Sequence, residues 1–194
     1  MFNKILNVSG SIIECGVLHG AGLLAWTKLS SILEPVNHTR KIIGFDTFEG
    51  FPHLHEKDTE TGTSSHLKKQ ALRGSSYESV SEAIRVYDMN RPLQHISKIE
   101  LVKGDICKTV EQYVQDNPHL VVSLLYLDVD LYLPTRKSIE IFASRMPKGA
   151  IICFDELNAQ IFPGETMAVH EVLGLNNLEI KRFTFDPYVS YTIF

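Results

Sequence analysis

Apolar residues gather along the chain into short runs rich in β-branched side chains, at residues 12–17, 41–48, 98–102, 121–129, 150–154 and 178–185. Stretches of helical spacing separate them, and this alternation predicts βαβ units around a parallel sheet. The runs Val121-Val122-Ser123-Leu124-Leu125-Tyr126-Leu127 and Ala150-Ile151-Ile152-Cys153-Phe154 are almost continuously apolar. Strands buried on both faces have this pattern, which places the two runs in the middle of the sheet. Between them Ile139, Phe142, Ala143 and Met146 fall at i, i+3, i+4 and i+7, a helical face that Pro147 and Gly149 end. That unit is a right-handed crossover. A first helix is predicted from about Ala21 to Leu33, ahead of Pro35, with Trp26 as a packing residue. The chain closes on residues 178–185, an Asp186-Pro187 turn and residues 188–194, two strands whose short connection makes them antiparallel. The expected architecture is a single α/β domain over residues 1–194. Its sheet is seven-stranded and mostly parallel with an antiparallel C-terminal strand, and helices cover both faces.

One stretch, residues 52–76, has no strong periodicity and is dominated by His, Lys, Glu, Thr, Gly and Ser. A helix follows, with Val80, Ala83, Ile84 and Tyr87 on one face, and Ser79-Val80-Ser81-Glu82 fits a capping box. Loops of this length either have a function or are mobile. Residues 52–90 therefore read as a flexible cover over a site, with a disordered surface insertion as the alternative.

Composition narrows the partners. With 44% hydrophobic and 22% charged residues the chain is neither disordered nor fibrous. Nineteen Lys and Arg against 23 Asp and Glu, with the basic residues scattered, leave no electrostatic footprint for nucleic acid, so a small-molecule partner is expected. No apolar stretch reaches the ~20 residues of a membrane span, and the first residues lack a signal-peptide pattern, so the expected location is cytoplasmic. Cys15, Cys107 and Cys153 form no C-x-x-C pair and read as small buried hydrophobes.

The acidic residues carry the chemistry. Glu14, Asp46, Asp105, Asp128, Asp130, Asp155 and Glu156 all fall at or just past the C-terminal part of a predicted parallel strand, the edge where open α/β sheets bind ligands. Like charges so gathered call for a cation or a cationic cofactor among them. Gly16, Gly20 and Gly22 in the turn after the first strand allow close backbone approach, but match neither G-x-G-x-x-G nor a Walker loop. Glu14 beside them disfavours a pyrophosphate and suits an ammonium group. Asp46 is placed to accept ribose hydroxyls. A positively charged nucleoside, S-adenosylmethionine, satisfies both. Asp128 and Asp155-Glu156 end successive central strands, and such hard oxygen donors favour Mg²⁺, with Ca²⁺ or Mn²⁺ as alternatives, over Zn²⁺. Read as helix caps or solvated loop acids, they would have no such role.

Ile13-Glu14-Cys15-Gly16-Val17 with Gly20, Phe45-Asp46-Thr47-Phe48-Glu49-Gly50-Phe51-Pro52, Leu127-Asp128-Val129-Asp130-Leu131-Tyr132 with Thr135, and Phe154-Asp155-Glu156 together resemble the macrocin O-methyltransferase family over about residues 12–172. The resemblance implies a Rossmann-like class I methyltransferase fold and an S-adenosylmethionine- and Mg²⁺-dependent O-methyltransferase acting on a sugar or glycoside with vicinal hydroxyls. It implies that Glu14, Gly16 and Gly20 hold the methionine end of the cofactor, Asp46 the ribose, and Gly104 and Asp105 the region of the adenine. It further implies that Asp128, Asp155 and Glu156 coordinate the metal, with Asp128 also the catalytic base. Asp130 would support the fold or the substrate. The family has two aspartates where this chain has Asp155-Glu156, and residues 158–166 follow their own sequence. No histidine enters the core mechanism: His53 and His55 lie in the irregular stretch, His19 in the glycine turn, and His170 on a later helix that would face substrate. A homo-oligomer is compatible with the sequence. Two other readings stand beside this one, a metal-dependent hydrolase and a non-catalytic cofactor-binding relative.

Overall fold

The computed structural model describes residues 1–194. Its strands are β1 (Ser11–Cys15), β2 (Ile42–Asp46), β3 (Ile99–Lys103), β4 (Val122–Leu127), β5 (Ile151–Phe154), β6 (Lys181–Arg182) and β7 (Ser190–Ile193). The helices are α1 (Phe2–Ile5), α2 (Ala21–Leu33), α3 (Glu56–Thr59), α4 (Tyr77–Asp88), α5 (Ile106–Asp116), α6 (Tyr132–Phe142) and α7 (Pro163–Val172). One sheet runs in the order β3-β2-β1-β4-β5-β7-β6, with β7 antiparallel to both neighbours and the first five strands parallel. The order reverses between β1 and β4, so a crevice opens past their C-terminal ends. This is the architecture the hydrophobic pattern predicts.

Two apolar clusters, one on each face of the sheet, explain the stability of the frame. One joins Ile13, Phe45, Leu125 and Phe154 to Val110, Ile139 and Phe142 of α5 and α6; the other joins Ile12, Ile42 and Leu124 to Leu23 of α2 and Val80 of α4. Alternate residues of β1, β2 and β4 thus face opposite clusters, and both faces are covered. No helix is long and apolar enough to cross a membrane.

Two local expectations need correction. The expected strand at 178–185 reduces to Lys181–Arg182, because Asp186 Oδ1 accepts the N–H groups of Tyr188 and Val189 and turns the chain before pairing extends. The helix expected to be capped at Ser79 begins at Tyr77, with Ser76 as N-cap accepting the Ser79 N–H at 3.2 Å. Tyr77, edge-on to Phe48 at 5.4 Å, supplies the earlier turn with a core contact. The irregular stretch at 52–76 is held by long-range contacts. Phe51 and Ala71 bury against Leu131 and Phe162, and backbone bonds Gln70 N–H to Phe51, Ser64 N–H to Ile161 and Ser75 N–H to Leu18 fasten it to the domain.

Candidate active site

The turn after β1 is built by contacts that leave no freedom at Gly16. Its φ is 94°, and a Cβ there would overlap the carbonyl of Asp128, so the ends of β1 and β4 approach as only glycine allows. The Asp128 N–H donates to the Cys15 carbonyl at 2.8 Å. Asp46, at the end of β2, holds the same turn from the other side: Oδ2 accepts the N–H groups of Val17 (2.7 Å) and Leu18 (2.9 Å), and Oδ1 that of Phe48 (2.6 Å).

Two cavities lie past the strand ends. The first, of about 430 Å³, is lined among others by Asp46, Asp105, Asp130, Asp155, Glu156 and Phe162. The second, of about 510 Å³, is lined among others by Glu14, Gly22, Trp26, Tyr126, Phe183 and Phe185. Gly16, Leu18 and Asp128 line both. Seven of the nine expected site residues (Glu14, Gly16, Asp46, Asp105, Asp128, Asp155 and Glu156) therefore border this double cavity. Gly20 and Gly104 border neither. Gly20 caps α2 against Val80, and Gly104 donates its N–H to the Asp46 carbonyl at 2.9 Å. Asp105 caps α5 by accepting the Cys107 N–H and meets His53 Nε2 at 3.2 Å.

The acids shape one another's proton affinity. Burial, then the charges of Asp155, Glu156 and Asp46, push Asp128 up to about 7. Burial and Asp128 take Asp130 to about 8, and Asp130 sits at φ 59°, a strained position for a side chain with a Cβ. Burial and Asp155 take Glu156 to about 7. Asp155 is raised by burial and by Asp186, against a hydrogen bond from the Tyr126 hydroxyl that favours its ionised form. Glu14 rises to about 8, first by burial and then by Asp128. Its carboxyl faces Trp26, yet neither Glu14 Oε2 nor Trp26 Nε1 has a hydrogen-bond partner.

A hard cation is the group that would relieve this repulsion, and the buried, unpartnered Glu156 Oε2 is a free oxygen donor for one. No three His, Cys, Asp or Glu side chains stand gathered as a ready ligand set; Asp155 Oδ1 is engaged by Tyr126.

Sequence reasoning missed three residues here. Glu165, fully buried in the first turn of α7, accepts the Glu156 N–H at 2.9 Å and is held well above the ordinary carboxylate range by burial. A Glu two residues past Pro163 is the one signal that pointed to it, since such a carboxylate faces a helix's own N-terminus. Tyr126 hides within an apolar strand, and Asp58 within the irregular stretch. Of the histidines, His53 and His55 line the first cavity, His19 Nδ1 pairs with Ser75 Oγ, and His170 is exposed rather than turned to the site.

Comparisons with known proteins agree with this fold. A structure of CalS11, a calicheamicin methyltransferase, is 32% identical and superposes with a TM-score of 0.94 over all of this chain and 75% of that one. Apo CalS11, described as a TDP-rhamnose 3'-O-methyltransferase, is 30% identical with a TM-score of 0.84 over the same shares of the two chains. The O-methyltransferase NovP, 20% identical, shares the fold with a TM-score of 0.73 over 99% of this chain and 75% of its own. No curated protein sequence matches significantly. The model of the macrocin-O-methyltransferase (TylF) family matches residues 4–186, and the chain belongs to that family of O-methyltransferases.

Proposed function

We propose that this chain transfers the methyl group of S-adenosylmethionine to a hydroxyl of a sugar or glycoside in a Mg²⁺-dependent reaction. The observation that carries the reading is Asp128, which lies in the wall common to both cavities among the acids that end β2, β4 and β5. A general base must lie within reach of the hydroxyl it deprotonates, and this wall borders both the proposed cofactor and acceptor sides. CalS11, to which the chain is similar, is described as a TDP-rhamnose 3'-O-methyltransferase, so a nucleotide-linked deoxysugar is the acceptor class to try first.

Asp46 and Asp105 border the first cavity on the β2 and β3 side, where they hold ribose and adenine. The unpartnered Glu14 carboxyl in the second cavity takes the ammonium of the methionine end, with Gly16 between them giving backbone room. Gly20 and Gly104 act behind this surface by shaping the turns. Asp128, Asp155 and Glu156 would hold Mg²⁺, which when bound supplies a Lewis acid that orients two vicinal hydroxyls and lowers the pKa of one. Asp128 takes the proton of the attacking hydroxyl as its oxygen bonds to the methyl carbon and the carbon–sulfur bond breaks. Tyr126 and Glu165 hold Asp155 and the Glu156 backbone in place. The segment from Phe51 to Asp58 walls the first cavity and excludes water from it.

The test is a mass-spectrometric screen of TDP-rhamnose, other nucleotide sugars and simple glycosides with S-adenosylmethionine and Mg²⁺. A methylated sugar product is expected. Binding of S-adenosylhomocysteine by calorimetry without product from any hydroxylated acceptor would favour a cofactor-binding relative, and absence of binding would refute the reading altogether.

A further inference from the structure

The start of α6 has no cap from its own sequence. Leu131 occupies the N-cap position and offers no side-chain acceptor, so the first N–H groups of a helix that follows directly on Asp128-Val129-Asp130 need a partner from elsewhere. Asp58 supplies it from 74 residues away, accepting the Tyr132 N–H at 2.7 Å through Oδ1. Its other oxygen, Oδ2, accepts the N–H of His55 at 2.8 Å and closes the capping box of α3. The start of α7 meets the same carboxylate, because Gly164, the second residue of that helix, is packed so closely on Asp58 Oδ1 and the Tyr132 N–H that a Cβ would overlap both. Asp58 is 1% exposed, and burial raises its pKa against the two N–H bonds that lower it. A buried carboxylate is costly unless its oxygens are satisfied, and here N–H groups and helix dipoles satisfy them.

Both helices that converge on this carboxylate follow strand ends bearing the site's acids. Through Tyr132 it bears on the Asp128–Asp130 turn, and through Gly164 and its neighbour Glu165 on Glu156. It belongs itself to the wall of the first cavity. Neighbouring contacts reinforce the joint: the His55 ring packs on Tyr132 at 4.9 Å, and Lys57 pairs with Glu171 across the same ring.

We infer that Asp58 is a positioning residue that docks the cover segment onto the N-termini of α6 and α7 and so sets the two acid-bearing turns relative to each other and to the cavity wall. Its kinetic consequences rest on the proposed methyl transfer; its docking role does not.

The two oxygens permit a dissection. In Asp58→Asn the amide oxygen still accepts the Tyr132 N–H, but the amide nitrogen cannot accept from His55. Asp58→Ala loses both bonds. Hydrogen exchange on the full chain without ligand reads the docking through the amides of Phe51, Ser64 and Gln70, which are bonded to Ala71, Ile161 and Phe51 respectively. In Asp58→Ala these should exchange about 10- to 100-fold faster, the scale set by losing hydrogen bonds to a charged acceptor, while the amides of β1 and β4 keep their wild-type rates. In Asp58→Asn the cover amides should be intermediate. In turnover, Asp58→Ala should raise the KM for acceptor and lower kcat, whereas Asp58→Asn should restore most of kcat with KM still raised, because the α6 cap is kept and the cover is not. Cover amides that exchange at the wild-type rate in both variants, acceleration spread equally over the sheet, or a kcat in Asp58→Asn as low as in Asp58→Ala would each overturn the inference. If no acceptor is turned over by the wild-type chain, the methyl-transfer reading fails while the exchange result still decides the docking role.

Discussion

Replacing Glu14 by glutamine sets stability against binding at one atom. The carboxyl is buried at 2% exposure, pressed against α2 at Gly22, and its pKa rises from the ordinary 4.5 to about 8 through burial and the charge of Asp128. A carboxyl whose folded pKa lies above its unfolded one contributes stability that is complete below the unfolded value and is lost as pH rises toward the folded one. The window here runs from about pH 4.5 to about pH 8. At pH 7 the folded chain still holds the proton that the unfolded chain has released. At ~1.4 kcal/mol per pH unit the interval above 4.5 corresponds to roughly 3 kcal/mol, and at pH 5 to roughly 1 kcal/mol. Glutamine has no proton to lose, so the ligand-free Glu14→Gln variant should gain on the wild type by about 2 kcal/mol between pH 5 and pH 7. For a domain of this size that is a relative rise in Tm of about 4–8 °C. Calorimetric melts of both proteins across that range measure it directly. The same variant should bind S-adenosylmethionine about tenfold more weakly, since glutamine cannot release a proton to become the carboxylate that pairs with the ammonium. A Tm difference that does not change with pH would refute the account of a strained, proton-holding Glu14, and unchanged cofactor affinity would remove it from the cofactor site.

Three further outcomes follow from the same geometry. Asp46→Ala should weaken S-adenosylmethionine and S-adenosylhomocysteine alike by about 1.5–3 kcal/mol, because both carry the ribose and because the turn at Val17 and Leu18 loses its two N–H acceptors; calorimetry with both ligands checks this. Gly16→Ala should abolish cofactor binding, since a Cβ cannot be placed beside the Asp128 carbonyl; affinity within threefold of wild type, measured by titration, would contradict the packing of β1 on β4. EDTA should stop turnover without displacing cofactor, and Mg²⁺ should restore it; full activity in excess chelator would return Asp155 and Glu156 to a structural role.

What the sequence disclosed depends on the range of the forces involved. The buried strands β4 and β5 are legible because a parallel strand covered on both faces must be apolar throughout, and so the acids that end them, Asp128 and Asp155-Glu156, are legible too. Helix α2 is legible to the residue from its glycine turn and Pro35. Asp58 is not, because its partner Tyr132 is distant in the chain and nothing near position 58 announces that a helix elsewhere lacks a cap. Residues 52–76 show no local periodicity for the same reason: their order comes from Phe51, Ala71, Leu131 and Phe162 meeting in space. Strand β6 is shorter than the strand composition of 178–185 suggests, because Asp186 decides where the chain turns.

The role of Asp128 is tested most directly by titrating Mg²⁺ against Asp128→Asn and Asp155→Asn and measuring kcat at saturating acceptor. Both variants keep an oxygen that a hard cation can bind, but of the two only Asp128 lies in the wall common to both cavities, where the proposed mechanism has it remove the proton from the attacking hydroxyl. Asp155→Asn should recover part of its activity at high Mg²⁺, whereas Asp128→Asn should stay about 10²- to 10⁴-fold below wild type at every concentration. Equal recovery of the two variants would contradict the assignment of Asp128 as the base.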